Sequence, residues 1–203
     1  MLTWAPSLCK VEPKNSGCRS GHVGQLGQAL VLHGLWPQPS TEQYCGITQR
    51  EADKRPVDLP GDIRNTLQDM MSDPQSMAAH EWYAHGTCSG VTPPEYFTIA
   101  ESLTTQARSV LTPVFQQAAG ENLSPRAIRE TFEATFGRGT GNRVGLTCRD
   151  VSGQSIVYEV RLSLPAVVDL LTEQASDSGI KLGDAMAKGP AIPPGCGQGK
   201  VTG

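Results

Sequence analysis

Long apolar runs are missing from this sequence. The longest are a few residues, such as Ala29-Leu30-Val31-Leu32, against the roughly 20 that a membrane-spanning helix needs, so no membrane span is expected. A surplus of one charge is missing too. Seventeen Lys and Arg stand against 20 Asp and Glu, for a net charge of −3. That excludes a protein that holds duplex nucleic acid by bulk electrostatics, but not an enzyme that grips a few nucleotides in a pocket. No two cysteines form a C-x-x-C pair, which argues against a structural zinc ribbon. Met1–Pro6 has neither a charged start nor an apolar stretch, so no signal peptide is read there. Internal repeats are absent, and only four histidines occur.

What remains is enough for a folded core. The 203 residues are 38% hydrophobic, which suits one domain over 1–203. The 22 glycines and 15 prolines exceed the average without reaching the level of disorder. Six cysteines, Cys9, Cys18, Cys45, Cys88, Cys148 and Cys196, form an even, widely spaced set. That favours three disulfides in an oxidising compartment, secreted or periplasmic, over six reduced thiols. The sequence leaves their connectivity open; sequential pairing is the simplest. A Cys45–Cys88 bridge would then stabilise the fold by about 4 kcal/mol in the chain-entropy picture.

Strands are expected at 2–8, 28–33, 143–149 and 154–163, the last two forming a hairpin about Ser152-Gly153. Helices are expected at 61–71, 75–86, from Pro93 to Gly120, and from the capping Ser124-Pro125 to Gly137. A short helix is expected at 165–171, loops at 9–27 and 37–61, and a Gly/Pro-rich tail over 183–203 held only by Cys196. Helices in the middle and strands at both ends give an α+β fold with a largely antiparallel sheet.

Three of the four histidines fall in two aromatic motifs, His33-Gly34-Leu35-Trp36-Pro37-Gln38 and His80-Glu81-Trp82-Tyr83-Ala84-His85-Gly86-Thr87-Cys88. Histidine is the side chain best suited to passing protons near neutral pH. His33 stands at the end of a predicted strand. Glu81 and His85 are spaced i and i+4, on one helix face, where the carboxylate would orient and charge the imidazole. His22, in a glycine-rich stretch, reads as structural. A zinc-protease helix needs histidines at i and i+4; here they are at i and i+5, about 140° apart on a regular helix, and so unable to share an ion. A cysteine-protease reading would pair Cys88 with His85 or His33. A disulfided Cys88 uses the even count better.

HGLWPQ followed by HEWYAHGTC resembles the two active-site segments of the ribonuclease T2 family, and Leu2–Cys9 resembles its first strand and first cysteine. The resemblance implies an α+β fold with an antiparallel sheet flanked by helices. It implies a secreted or periplasmic endoribonuclease acting on single-stranded RNA with little base preference; a monomer is expected. The residues themselves suit metal-independent, cofactor-free chemistry that spares DNA, which lacks the 2′-hydroxyl, and one charged and one neutral imidazole in a chain of pI 5.8 predict an acidic to neutral optimum. By position, His33 and His85 match the two catalytic histidines, Glu81 the carboxylate between them, His80 a phosphate contact, and Trp36 a base-packing aromatic. Cys45–Cys88 and Cys148–Cys196 match family disulfides. Gln38 and Tyr44 are further candidates for base contact.

In the scheme this implies, His85 takes the proton of the RNA 2′-hydroxyl and His33 protonates the leaving 5′-oxygen. The departure is Ala84, where the family usually carries lysine. Arg138, Arg143 and Arg149 are candidate replacement cations, although a solvated basic loop explains them better. Ala84 is also what favours the alternative of a weak or inactive member acting as a binding protein. A disulfide-rich metalloenzyme is the third reading. The Asn122-Leu123-Ser124 sequon is followed by Pro125.

Overall fold

The computed structural model describes residues 1–52, 55–175 and 179–203. In chain order the elements are β1 (Leu2–Trp4), α1 (Ala5–Val11), α2 (Ser16–Ser20), α3 (His22–Gln25), β2 (Leu30–Leu32), α4 (Gln49–Ala52), α5 (Gly61–Gln68), α6 (Pro74–Ala84), α7 (Pro93–Gln117), β3 (Asn122–Leu123), α8 (Pro125–Phe136), β4 (Val144–Val151), β5 (Gln154–Leu162), α9 (Leu171–Gln174), α10 (Leu182–Lys188) and β6 (Gly199–Lys200). The sheet runs β2-β1-β5-β6-β3, and β4 pairs with the other edge of β5. Between the named strands every pairing is antiparallel except β5 with β6. This is the α+β fold expected.

Local chemistry sets the main helices. A capping box at Thr92 and Glu95 opens α7, with Pro93 in its first turn. Ser124 accepts from the Ala127 N–H to open α8 (3.4 Å). Apolar residues of α7 then cover both sides of the fold. Ile99, Leu103, Leu111 and Phe115 pack on the sheet with Trp4, Val160, Ile128 and Met186. Tyr96, Phe97 and Ala100 pack with Leu32, Leu67 and Met71. The second group fixes the strand that carries His33 against the helices around His85. A smaller group, Ala5, Leu8, Val23, Val31 and Tyr158, fills the other sheet face under α1.

Three expectations need correction. Residues 5–8 leave the strand for α1, because Pro6 opens a helix whose Ala5 and Leu8 have a core to bury into. The 9–27 stretch is helical in two short pieces, with Asn15 capping α2 through the Gly17 N–H (3.0 Å). The tail is held by more than Cys196. Leu182, Ala185 and Met186 enter the main core, β6 joins the sheet, and the Trp4 Nε1–H donates to Thr202 O (2.7 Å). The cysteines pair sequentially, Cys9–Cys18, Cys45–Cys88 and Cys148–Cys196. No helix among the described residues is long and apolar enough to cross a membrane.

Candidate active site

His33 is delivered by the end of β2. Its backbone N–H makes the last rung to Met1 O (3.0 Å), after which the chain leaves the sheet. A hydroxyl from α7 pins the turn that follows. Tyr96, fully buried, accepts from the Leu35 N–H (2.9 Å) and donates to Leu35 O (2.8 Å). Burial, with the Glu81 charge, pushes the Tyr96 hydroxyl well above its ordinary pKa, so it keeps the proton it donates. Sequence reading did not single out this clamp.

Helix α6 supplies the other half. Asp73 caps it and Pro74 opens it. Its last helical residue is Ala84; His85, at φ −123° and ψ −45°, has left the spiral and leads into a 3₁₀ turn, Gly86–Cys88. The i, i+4 spacing still brings the two together: the His85 N–H closes the last helical bond to Glu81 O (3.1 Å), and ring and carboxyl atoms lie within 4.8 Å. The hydrogen bond of the Glu81 carboxyl goes elsewhere, accepting from Trp36 Nε1–H at Oε2 (2.8 Å), while Oε1 lies 3.8 Å from His33 Nε2. Glu81 is wholly buried, and among the described residues that Oε1 has no hydrogen-bond partner. The close approach depends on Gly34, where a Cβ would overlap Glu81 Oε2 and crowd Trp36 Nε1. Gly34→Ala is expected to displace both groups. Turnover should fall by at least about tenfold and Tm by on the order of 5 °C, read by RNA cleavage and thermal melting.

Trp36 links the two histidines. Its ring stacks on His85 (centroids 4.6 Å apart, 25° between planes) and meets His33 edge-on (4.9 Å, 70°). The ring of His80, which is exposed, lies 6.0 Å from that of His85. This corrects the expectation that His80 and His85 face apart, since His85 lies beyond the regular helix. One donor atom each of His80, Glu81 and His85 fall within 4.8 Å of one another, a set with the composition of a metal site. Glu81 suits that role poorly: one oxygen already accepts from Trp36, and burial drives the carboxyl toward its neutral form, whereas ligands bind deprotonated.

The electrostatics separate the two imidazoles. Burial, reinforced by the neighbouring His80 and His33 charges, pushes His85 down to about 4. Burial also works to lower His33, but a hydrogen bond to Glu159 and the charges of Glu81 and Glu159 outweigh it and raise its pKa. Burial pushes Glu81 up to about 7, against the His33 charge and the Trp36 hydrogen bond. Near pH 5 to 6, therefore, His85 is a free base and His33 an acid.

Glu159 is the residue that sequence reading missed. Its Oε1 lies 2.6 Å from His33 Nδ1, and it is 4% exposed. The only hint was an acidic residue in the apolar strand Ile156-Val157-Tyr158-Glu159-Val160. A bulge hid its orientation: Thr147 pairs with Glu159 and the next residue, Cys148, with Val157, so Tyr158 is extra.

The remaining candidates divide. The Tyr44 N–H docks on Ala84 O (2.9 Å), next to the Cys45–Cys88 bridge and beside His85. Gln38 is exposed on the loop beyond Trp36. His22 bonds Met71 O through Nε2 (3.2 Å), the structural role expected. Ala84 is 1% exposed; of the three candidate replacement cations Arg138 is exposed and the other two are engaged elsewhere. Arg143 is bound to the carbonyls of Gly139, Ala187 and Gly189, and Arg149 lies over the Tyr158 ring (5.7 Å). An open cavity of about 350 Å³ beside α8 shares no residue with the histidine site. Its Arg126 pairs with Glu130 (2.7 Å), and its Arg129 holds the carbonyls of Val144 and Ile192.

Known proteins share this arrangement of chain. A sequence model of the ribonuclease T2 family matches residues 1–178. Ribonuclease MC of Momordica charantia is 28% identical over 167 residues, 78% of this chain and 82% of its own. Ribonuclease 1 of Arabidopsis thaliana is 28% identical over 170 residues, covering 78% and 71%. Among solved structures, a mutant of ribonuclease MC1 superposes with a TM-score of 0.58 at 25% identity, covering 78% of this chain and 83% of that one. Another mutant of ribonuclease MC1, in complex with 5′-UMP, superposes at 0.56 and 25%, covering 78% and 82%.

Proposed function

The chain belongs to the ribonuclease T2 family and is an endoribonuclease of that type, and from that premise we propose that it cleaves single-stranded RNA without a metal, through a 2′,3′-cyclic phosphate. Neutral His85 takes the 2′-hydroxyl proton, the 2′-oxygen attacks phosphorus, and the P–O5′ bond breaks as charged His33 protonates the leaving oxygen. For hydrolysis the roles reverse. His33 takes a proton from water, the water oxygen attacks, and the P–O2′ bond breaks as His85 returns its proton, leaving a 3′-phosphate. His80, when cationic, meets the phosphate. The reading rests on one observation: two imidazoles in contact with the same Trp36, one pushed toward the base form and one toward the acid form.

The sign of each shift fixes the pH profile. Activity rises as pH climbs through the lowered pKa of His85, about 4, because the base must be neutral. It falls as pH climbs through the raised pKa of His33, because the acid must be charged. The expected result is a bell with an acidic to neutral optimum. Digestion of a dinucleoside monophosphate across pH, with EDTA present, checks both parts. Cyclic phosphate with a bell-shaped rate supports the scheme; an optimum above about pH 8, or activity lost to EDTA, contradicts it. A deoxy dinucleotide lacks the nucleophile and stays intact.

Exposed Trp36 offers a stacking face that any base can use, and Gln38 and Tyr44 stand on the adjoining loop. This favours low base specificity. The three disulfides favour secretion or the periplasm. Ala84 supports the second reading, a catalytically weak member that binds RNA; tight RNA binding without cyclic phosphate is its signature.

A further inference from the structure

The His33 ring is held from behind by a carboxyl on a different element. β2 carries His33, β1 lies next to it, and β5 lies beyond. Val31 pairs with Thr3, and Thr3 with Glu159, so these residues form one row across three strands. His33, two residues past Val31, leans back over that row and meets Glu159 at Nδ1 (2.6 Å). The extra residue Tyr158 makes this reach possible. Val157 and Val160 both enter the main core, while Tyr158 fills the opposite face with Val31, which leaves Glu159 beside Tyr158 on the His33 side. With Nδ1 engaged, Nε2 is the nitrogen left for the cleft, on the side where Glu81 Oε1 lies (3.8 Å).

Resting on the function proposed above, we propose that Glu159 is the positioning residue of the general acid: it accepts a hydrogen bond from His33 Nδ1–H, fixes the ring's orientation and tautomer, and so directs the Nε2 proton to the leaving 5′-oxygen. The carboxyl would not touch RNA; it acts through His33, as the buried partner of a catalytic imidazole does in other hydrolases. The other titratable groups around the ring are Glu81 on α6, His85 after α6, and the Met1 amino group, which donates to Gly34 O (2.6 Å). Of all these, only Glu159 bonds Nδ1.

The decisive comparison uses two substrates in the same variant. A dinucleoside monophosphate needs its 5′-oxygen protonated, whereas a nucleoside 3′-(4-nitrophenyl phosphate) loses a leaving group that needs no proton. Glu159→Gln should lower kcat on the dinucleotide by about 10- to 100-fold, with KM little changed, and leave the nitrophenyl ester within a few-fold. The basic limb of the pH profile should move to lower pH, and Glu159→Asp should restore part of the loss. Nitrogen-15 NMR of the His33 ring reads the same contact without turnover: in Glu159→Gln its pKa falls and its tautomer balance changes. Equal losses on both substrates, or an unmoved His33 titration, overturn the proposal. If the unmodified enzyme cleaves neither substrate, the function proposed above fails, while the NMR titration still decides whether Glu159 governs His33.

Discussion

His33→Ala and His85→Ala each lower kcat on a dinucleoside monophosphate by about 10²–10⁴-fold, the usual contribution of a positioned proton carrier. The two variants should differ in stability. His85 is 5% exposed, yet its Nδ1 has no hydrogen-bond partner among the described residues, so its removal strands none of them there and costs mainly the stack with Trp36. His33 is bonded to Glu159, itself 4% exposed. Its removal leaves that carboxyl without the partner and costs about 1–3 kcal/mol more. Thermal melting beside initial rates separates the effects, because each variant should remain folded. In the proposed scheme acid and base act in one concerted step, so the double variant should be little worse than either single one. Turnover within tenfold of the unmodified enzyme, in a folded His33→Ala or His85→Ala, would remove the two-histidine scheme.

Sequence reading reached the site wherever the relevant geometry was local. His33 at a strand end, Glu81 inside a helix, and Ser124-Pro125 opening another are settled by residues within a turn of one another, and the structure agrees. It went wrong where tertiary contacts override local rules. The i, i+5 separation that sets His80 and His85 apart assumed a helix that continues, but the chain turns away at His85, where Cys88 is drawn to Cys45 and the Ala84 carbonyl receives the Tyr44 N–H. The hydrogen bond that Trp36 gives the Glu81 carboxyl spans 45 residues of separation. Glu159, 126 residues from His33, was invisible for a different reason: side-chain alternation along a strand holds only without a bulge. The tail misled because composition reports flexibility of the chain rather than available partners. Lys200 and Val201 find them at Ile156 of β5 and at Ala119.

Ala84→Lys is the one substitution expected to increase activity. In the proposed scheme, negative charge grows on the phosphorane oxygens as the 2′-oxygen attacks. Two loop arginines are engaged elsewhere, Arg143 with backbone carbonyls and Arg149 with the Tyr158 ring, and the Met1 amino group, which acts on both His33 and His85, is bound to Gly34 O. One preorganised donor aimed at such charge is worth about 10²–10³-fold in kcat, and lysine is what the family usually carries there. Part of that gain is lost here. Ala84 is 1% exposed, and a longer side chain must pass the loop docked on its carbonyl at Tyr44, at about 1–3 kcal/mol of strain. A rise of about tenfold to 10²-fold is therefore expected, with a lower Tm. Because the charge interacts with the transition state more than with bound RNA, the gain should fall on kcat and leave KM nearly unchanged. Ala84→Met adds a similar length without charge and isolates the packing cost. If the Lys and Met variants match each other in kcat, the missing cation does not limit the rate, and the imidazolium of His80 already supplies the stabilisation.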